Sequence, residues 1–235
     1  MGWTSQVDAY CERLSPAFWA EPVNAFSNGS FLIAAVLIWQ LLRTAKTRPP
    51  ASLVALPVVM ASIAVGSFLF HTYATLWAEQ ADVIPIRIFM VLFFACYLHW
   101  FWQLRWWLAW LGAVGFIVVS LLVGPLAGEL LPSGSGMYLP AFVVLAGAAV
   151  ALLLAPDPGR RRHWPLLAVA TVVFTVSLTF RTIDADVCAG FPLGTHFVWH
   201  LLNGLLLFVL GYSVVRRWRD LTATDTSQPA TTATA

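Results

Sequence analysis

In a chain of 235 residues, 60% of the side chains are apolar, 10% are charged and the mean hydropathy is +0.78, which excludes an ordinary soluble domain. The formal net charge of +2 is carried by basic residues scattered over short loops, which excludes a nucleic-acid-binding patch. Three cysteines are too few for a disulfide framework.

The chain reads as an all-α integral membrane protein. Residues 1–22 contain Asp8, Glu12 and Glu21 but lack the apolar core of a signal peptide, so the first long apolar run is expected to remain in the membrane. Apolar runs long enough to cross roughly 30 Å of hydrocarbon fall near 23–42, 51–72, 83–102, 106–126, 137–155, 165–181 and 196–215, which predicts seven transmembrane helices. Helices are required because a helix satisfies its own backbone polar groups where water is absent. Short punctuated connections separate the runs: KTRPP, LPSGSG and APDPGRRRH. The Thr/Ala-rich end has almost no bulky apolar residues and reads as disordered. The expected organisation is an extracytoplasmic segment 1–22, a membrane domain 23–219 and a cytoplasmic tail 220–235.

Arg43, Lys46, Arg48, Arg105, Arg160, Arg161, Arg162, Arg216, Arg217 and Arg219 follow alternate spans and therefore share one face. An excess of Lys and Arg marks the cytoplasmic side, so the N-terminus is expected outside and the C-terminus in the cytoplasm. On that orientation Ser67, His71, Asp82, His196 and His200 all come near the outer face. Arg87 stands inside the third span and needs a partner or a polar cavity.

His196 and His200 are four residues apart, so a helix places both imidazoles on one face. The pair by itself is equally consistent with packing or hydrogen bonding at a helix interface. His71 reaches the same depth from another span, and three imidazoles with an open fourth position suit a catalytic zinc. Phe197, Val198 and Trp199 supply no glutamate, so a general base must come from elsewhere. Asp82 is the candidate, against the plainer reading of an interfacial carboxylate. Ser67 lies four residues before His71 on the same face, where it serves either to bond a reacting group or to let helices pack closely. His99 and His163 fall at the cytoplasmic side, away from this cluster.

Cys11 and Cys188 both fall on the outer, oxidising side and are expected to form a disulfide that ties the N-terminal segment over the site. Cys96 reads as a buried thiol. Asp8, Glu12 and Glu21 are either oxygen ligands for calcium or simply a polar outer segment.

DAYCE, WAEPVNAFSN, the GSFLFH…D…P block at 66–85, IDADVC at 183–188 and HFVWH at 196–200 together resemble the alkaline ceramidases. That family lies within a superfamily of seven-helix membrane hydrolases that also holds the adiponectin and progestin receptors. The resemblance implies zinc ligands at His71, His196 and His200, a general base at Asp82, an oxyanion-stabilising role for Ser67 and a Cys11–Cys188 disulfide. It also implies regulatory calcium near Asp8, Glu12 and Glu21, although the aspartate stands one residue further from the cysteine than in the eukaryotic pattern and a family asparagine is missing. Composition and tail resemble bacterial members more, which implies a bacterial inner membrane with the site toward the extracytoplasmic side. It also widens the substrate from ceramide to other N-acyl lipids, hydrolysed to a fatty acid and a free-amine lipid.

The main alternative is a seven-helix receptor or sensor of the same superfamily with a structural zinc. A retinal protein is excluded because the single lysine, Lys46, lies in a loop. A transporter of inverted repeats lacks the internal symmetry and broken-helix pair such folds use.

Overall fold

The computed structural model describes residues 2–130 and 134–225. The chain opens with an irregular segment and then forms helices α1 (Pro22–Ser27), α2 (Gly29–Arg43), α3 (Ala51–Tyr73), α4 (Leu76–Trp102) and α5 (Trp106–Leu130). A 3₁₀ turn at Ser135–Tyr138 leads into α6 (Leu139–Leu153), followed by α7 (Pro158–Arg161), α8 (Trp164–Thr182), α9 (Asp184–Val187) and α10 (His196–Asp225). Among the described residues, seven stretches are long and apolar enough to cross a membrane, as the apolar runs predict. Helix α10 packs against α2, α3, α4 and α8, so the helix that carries two of the histidines is the most enclosed.

Two boundaries differ from the sequence expectation. The connection between α3 and α4 does not fill the gap between the expected spans 51–72 and 83–102 but is a tight turn at Ala74 and Thr75. Ala74 takes the left-handed conformation (φ 45°), its N–H donates to the Phe70 carbonyl, and α4 begins at Leu76. The stretch from Trp77 to Ala81 is rich in good helix formers, and its two polar residues, Glu79 and Gln80, mark depth in the membrane rather than loop backbone. Asp82 therefore sits inside α4. It and Ser67 each lie six residues from the turn-side end of their helix, which brings them to the same depth across an antiparallel pair. The second difference is that α10 continues through Asp225, past the expected tail boundary at 220. The rest of the expected disordered tail, 226–235, lies outside the described residues.

Gly66 makes the close approach of α3 to α4 feasible. A Cβ at Gly66 would lie 2.0 Å from the Ala81 carbonyl oxygen and 2.7 Å from its carbon, both backbone atoms that cannot rotate away. That carbonyl projects there next to Pro85, whose ring nitrogen has no N–H to offer it. Gly66→Ala should therefore push the helices apart at the level of Ser67 and Asp82, lowering both thermal stability and any activity that uses the two residues. Overpacking of this kind costs about 1–3 kcal/mol, and a melting curve equal to wild type would refute the steric account.

The two ends of the bundle differ in chemistry. At one end the N-terminal segment pairs with the α3–α4 turn, the Val7 N–H donating to the Ala74 carbonyl (2.8 Å) and the Leu76 N–H to the Ser5 carbonyl (3.1 Å). At the other, Arg217 donates to the carbonyls of Trp100 (3.3 Å) and Gly159 (3.0 Å), and Arg219 to the Leu41 carbonyl and Thr44 Oγ1. Leu41 and Trp100 belong to the last turns of their helices, where cations are favoured by the unpaired carbonyls. His99 and His163 also belong to this second end, His99 bonded to the Leu104 carbonyl (2.8 Å) and His163 beside Asp220 (2.9 Å).

Candidate active site

His71 ends α3, and His196 and His200 occupy the first two turns of α10. All three are buried, and one ring nitrogen from each lies within 4.8 Å of the others. Asp184 sets the start of α10: its carboxylate accepts the N–H groups of Thr195 (2.6 Å) and His196 (2.9 Å), satisfying donors that a helix N-terminus leaves free. Gly194, at φ +64°, brings the chain against that carboxylate.

Polar partners orient the rings. His71 Nδ1 donates to Glu21 Oε2 at 2.6 Å, leaving Nε2 buried with no partner among the described residues. Ser27 gives its own proton to the Asn24 carbonyl (2.7 Å) and so accepts from His200 Nδ1 (2.7 Å), which makes Nε2 the nitrogen that can coordinate. His196 Nδ1 is likewise buried and unpartnered. Buried imidazole nitrogens without partners are costly, and a convergent set of three fits a divalent metal such as zinc. Glu21 is in turn held by Asn24 Nδ2 (3.0 Å) and by Arg13 Nε (2.5 Å). Burial draws the Glu21 carboxyl upward, but bonding to His71, Asn24 and Arg13 outweighs it and holds the group below the usual carboxyl range. A carboxylate behind a ligating histidine fixes ring and tautomer, so Glu21→Gln should weaken metal affinity by about 10- to 100-fold. Isothermal titration of the metal into stripped protein checks this; unchanged affinity would make Glu21 a purely structural partner.

Ser67 is buried, and it lies beside the Asp82 carboxylate. Among the described residues Asp82 Oδ1 is buried with no hydrogen-bond partner, and the carboxylate lies within electrostatic reach of His71. The residues expected as ligands and base are thus brought into one region. An apolar cavity of about 100 Å³ lies deeper, lined in part by Phe31, Phe89, Tyr138, Trp199 and Asn203. It shares Met90, Phe116 and Ala141 with a larger cavity of about 1290 Å³ that Arg87 lines, whose other lining residues are mainly apolar, so it is not the polar cavity expected for that cation.

The N-terminal segment covers the histidines. Cys11 and Cys188 form the expected disulfide, with Cα atoms 5.2 Å apart, and the Cys11 N–H also donates to Asp184 (3.2 Å). Next to Cys11, the Tyr10 ring stacks on His196 at 3.6 Å and lies 5.3 Å from His71. Burial pushes the Tyr10 phenol up to about 12, against the opposing charge of Arg181, so it keeps its proton at neutral pH.

The carboxylates expected for calcium have separate tasks. Asp8 is exposed, and Glu12 accepts the N–H groups of Val23 (2.7 Å) and Asn24 (2.8 Å) at the start of α1. The cation beside Glu21 is the guanidinium of Arg13, which also donates to the carbonyls of Ser15 (3.1 Å), Ala17 (3.3 Å) and His71 (3.0 Å). Calcium ligation through Glu21 would have to displace it. Sequence reasoning missed Arg13, Ser27, Tyr10 and the orienting task of Glu21. The nearest signal was their place in DAYCE and WAEPVNAFSN, which says nothing about which polar group each will meet.

Membrane-length helices closing around three buried imidazoles and a carboxylate define an integral membrane protein with an internal metal-type site. A family profile described as Ceramidase matches residues 2–232, and the chain belongs to that family, resembling the alkaline ceramidases. Membership supports a hydrolase acting on lipid amides. None of the curated proteins compared with the chain matches it.

Proposed function

We propose that the protein is a zinc-dependent intramembrane amidase that hydrolyses the amide bond of ceramide-like N-acyl lipids to a fatty acid and a free-amine lipid. The observation that carries this reading is the Asp82–Ser67 pair next to three converging imidazoles, since a purely structural metal has no use for an unpartnered carboxylate oxygen beside it. His71, His196 and His200 would hold the ion. A zinc ion held by three imidazoles would acidify a water and polarise the amide carbonyl.

Asp82 takes a proton from the attacking water and returns it to the amide nitrogen as the carbon–nitrogen bond breaks. Ser67 holds the carboxylate in place and, once Asp82 is protonated, is free to donate to the oxyanion. The acyl chain occupies the apolar cavity lined by Phe31, Phe89 and Trp199. With the basic end of the bundle cytoplasmic, the site opens toward the outer leaflet of what we take to be a bacterial inner membrane. The test is a mass-spectrometric screen in which purified protein is incubated with a panel of N-acyl lipids. Fatty acid release from at least one is expected, and its absence from all would overturn the reading.

A further inference from the structure

His196, His200 and Asn203 stand at i, i+4 and i+7 of α10 and so share one face. Three residues along a helix are about 4.5 Å, so Asn203 lies nearly one turn deeper in the membrane than His200. There it lines the apolar cavity assigned above to the acyl chain. Four residues of that lining carry a side-chain nitrogen or oxygen, namely Tyr97, Tyr138, Trp199 and Asn203, and Asn203 alone brings a carbonyl. The Tyr97 hydroxyl is already committed to the Ala148 carbonyl (3.1 Å).

Hydrogen bonds fix which way the Asn203 amide points. Its Nδ2 donates to the Trp199 carbonyl (2.9 Å) and to Ser177 Oγ (2.9 Å), while Ser177 gives its own proton to the same Trp199 carbonyl (3.2 Å). A carbonyl oxygen only accepts, so the nitrogen of the amide must be the atom that faces Trp199. Both amide protons are then spent, one of them on joining α10 to α8, and among the described residues no group donates to Oδ1. Joining two helices explains the nitrogen side of the amide only. The carbonyl belongs to a residue 9% exposed in a largely aromatic cavity, where an unmet acceptor is costly. A plain acyl chain has no proton to give it.

We propose that Asn203 Oδ1 accepts from a hydroxyl on the first carbons of the acyl chain, so that the preferred substrates are ceramide-like lipids whose acyl group is hydroxylated near the amide. The one-turn step from His200 sets that position, because a chain leaving an amide held at the histidines passes Asn203 with its α and β carbons. The inference rests on the amidase reading and adds the chemistry of the acyl chain to it.

The test compares N-lauroylsphinganine with its α-hydroxy, β-hydroxy and ω-hydroxy derivatives, which share headgroup, amide and chain length. Binding to the full chain in detergent is followed by tryptophan fluorescence, Trp199 being part of the cavity wall, and fatty acid release is followed in parallel. Wild type should favour the α- or the β-hydroxy lipid over the plain one by about 5- to 10-fold, the range for one neutral hydrogen bond. The ω-hydroxyl, carried to the aromatic end of the cavity, should bring no gain. Asn203→Leu should abolish or reverse the preference. Ser177→Ala, which removes the bond between α8 and α10 but keeps the carbonyl, should retain most of it. Equal affinities for plain and hydroxylated lipids in wild type, an equal gain from the ω-hydroxyl, or a preference that survives Asn203→Leu would overturn the proposal. So would a ratio lost equally in both variants, which would trace it to helix packing. If Asn203→Leu fails to fold, the wild-type ratios and Ser177→Ala still decide. Absence of fatty acid release from every lipid would count against the amidase reading, while the binding ratios would still test Asn203.

Discussion

Asp82→Asn is expected to keep the metal and lower kcat for amide hydrolysis by about 10²- to 10⁴-fold, the usual contribution of a positioned proton-transfer group. The amide has nearly the shape of the carboxylate and can take its place beside Ser67, so α3 and α4 should keep their packing. What it lacks is the basicity to take a proton from water and return it to the leaving nitrogen. Elemental analysis should match wild type while turnover falls. Full activity in the mutant would remove Asp82 as the base, and loss of metal would make it a ligand instead.

His200→Ala should fail at the earlier step. Removing this imidazole leaves two ring ligands and takes away the donor from which the Ser27 hydroxyl accepts at 2.7 Å. Metal content should fall below stoichiometric and hydrolysis to background, whereas His99→Ala, altered at the opposite end of the bundle, should keep both. A His200→Ala protein with wild-type metal content would contradict the ligand assignment.

The membrane spans could be read from the sequence because hydrocarbon thickness fixes the length of an apolar run and leaves helices as the backbone solution. Depth could be read too: alternating the basic loops put His71, His196 and His200 at one level, and the structure brings them within 4.8 Å of one another. The α4 start could not be read from hydropathy, since Glu79 and Gln80 interrupt the apolar run yet are suited to helix. The orienting groups were hidden for a different reason. Glu21 and Ser27 lie fifty residues or more from the rings they bond, and Arg13 pairs with Glu21 through a loop whose shape no periodicity encodes. Gly66 stood in a recognised block, but its use depends on an Ala81 carbonyl that arrives from the next helix.

The central claim is tested most directly by stripping purified protein with a chelator, returning zinc in measured steps and following fatty acid release from an N-acyl lipid. The account predicts that release is lost on stripping and returns in proportion to zinc until one ion per chain is bound. Undiminished hydrolysis by protein shown to be free of metal would contradict it.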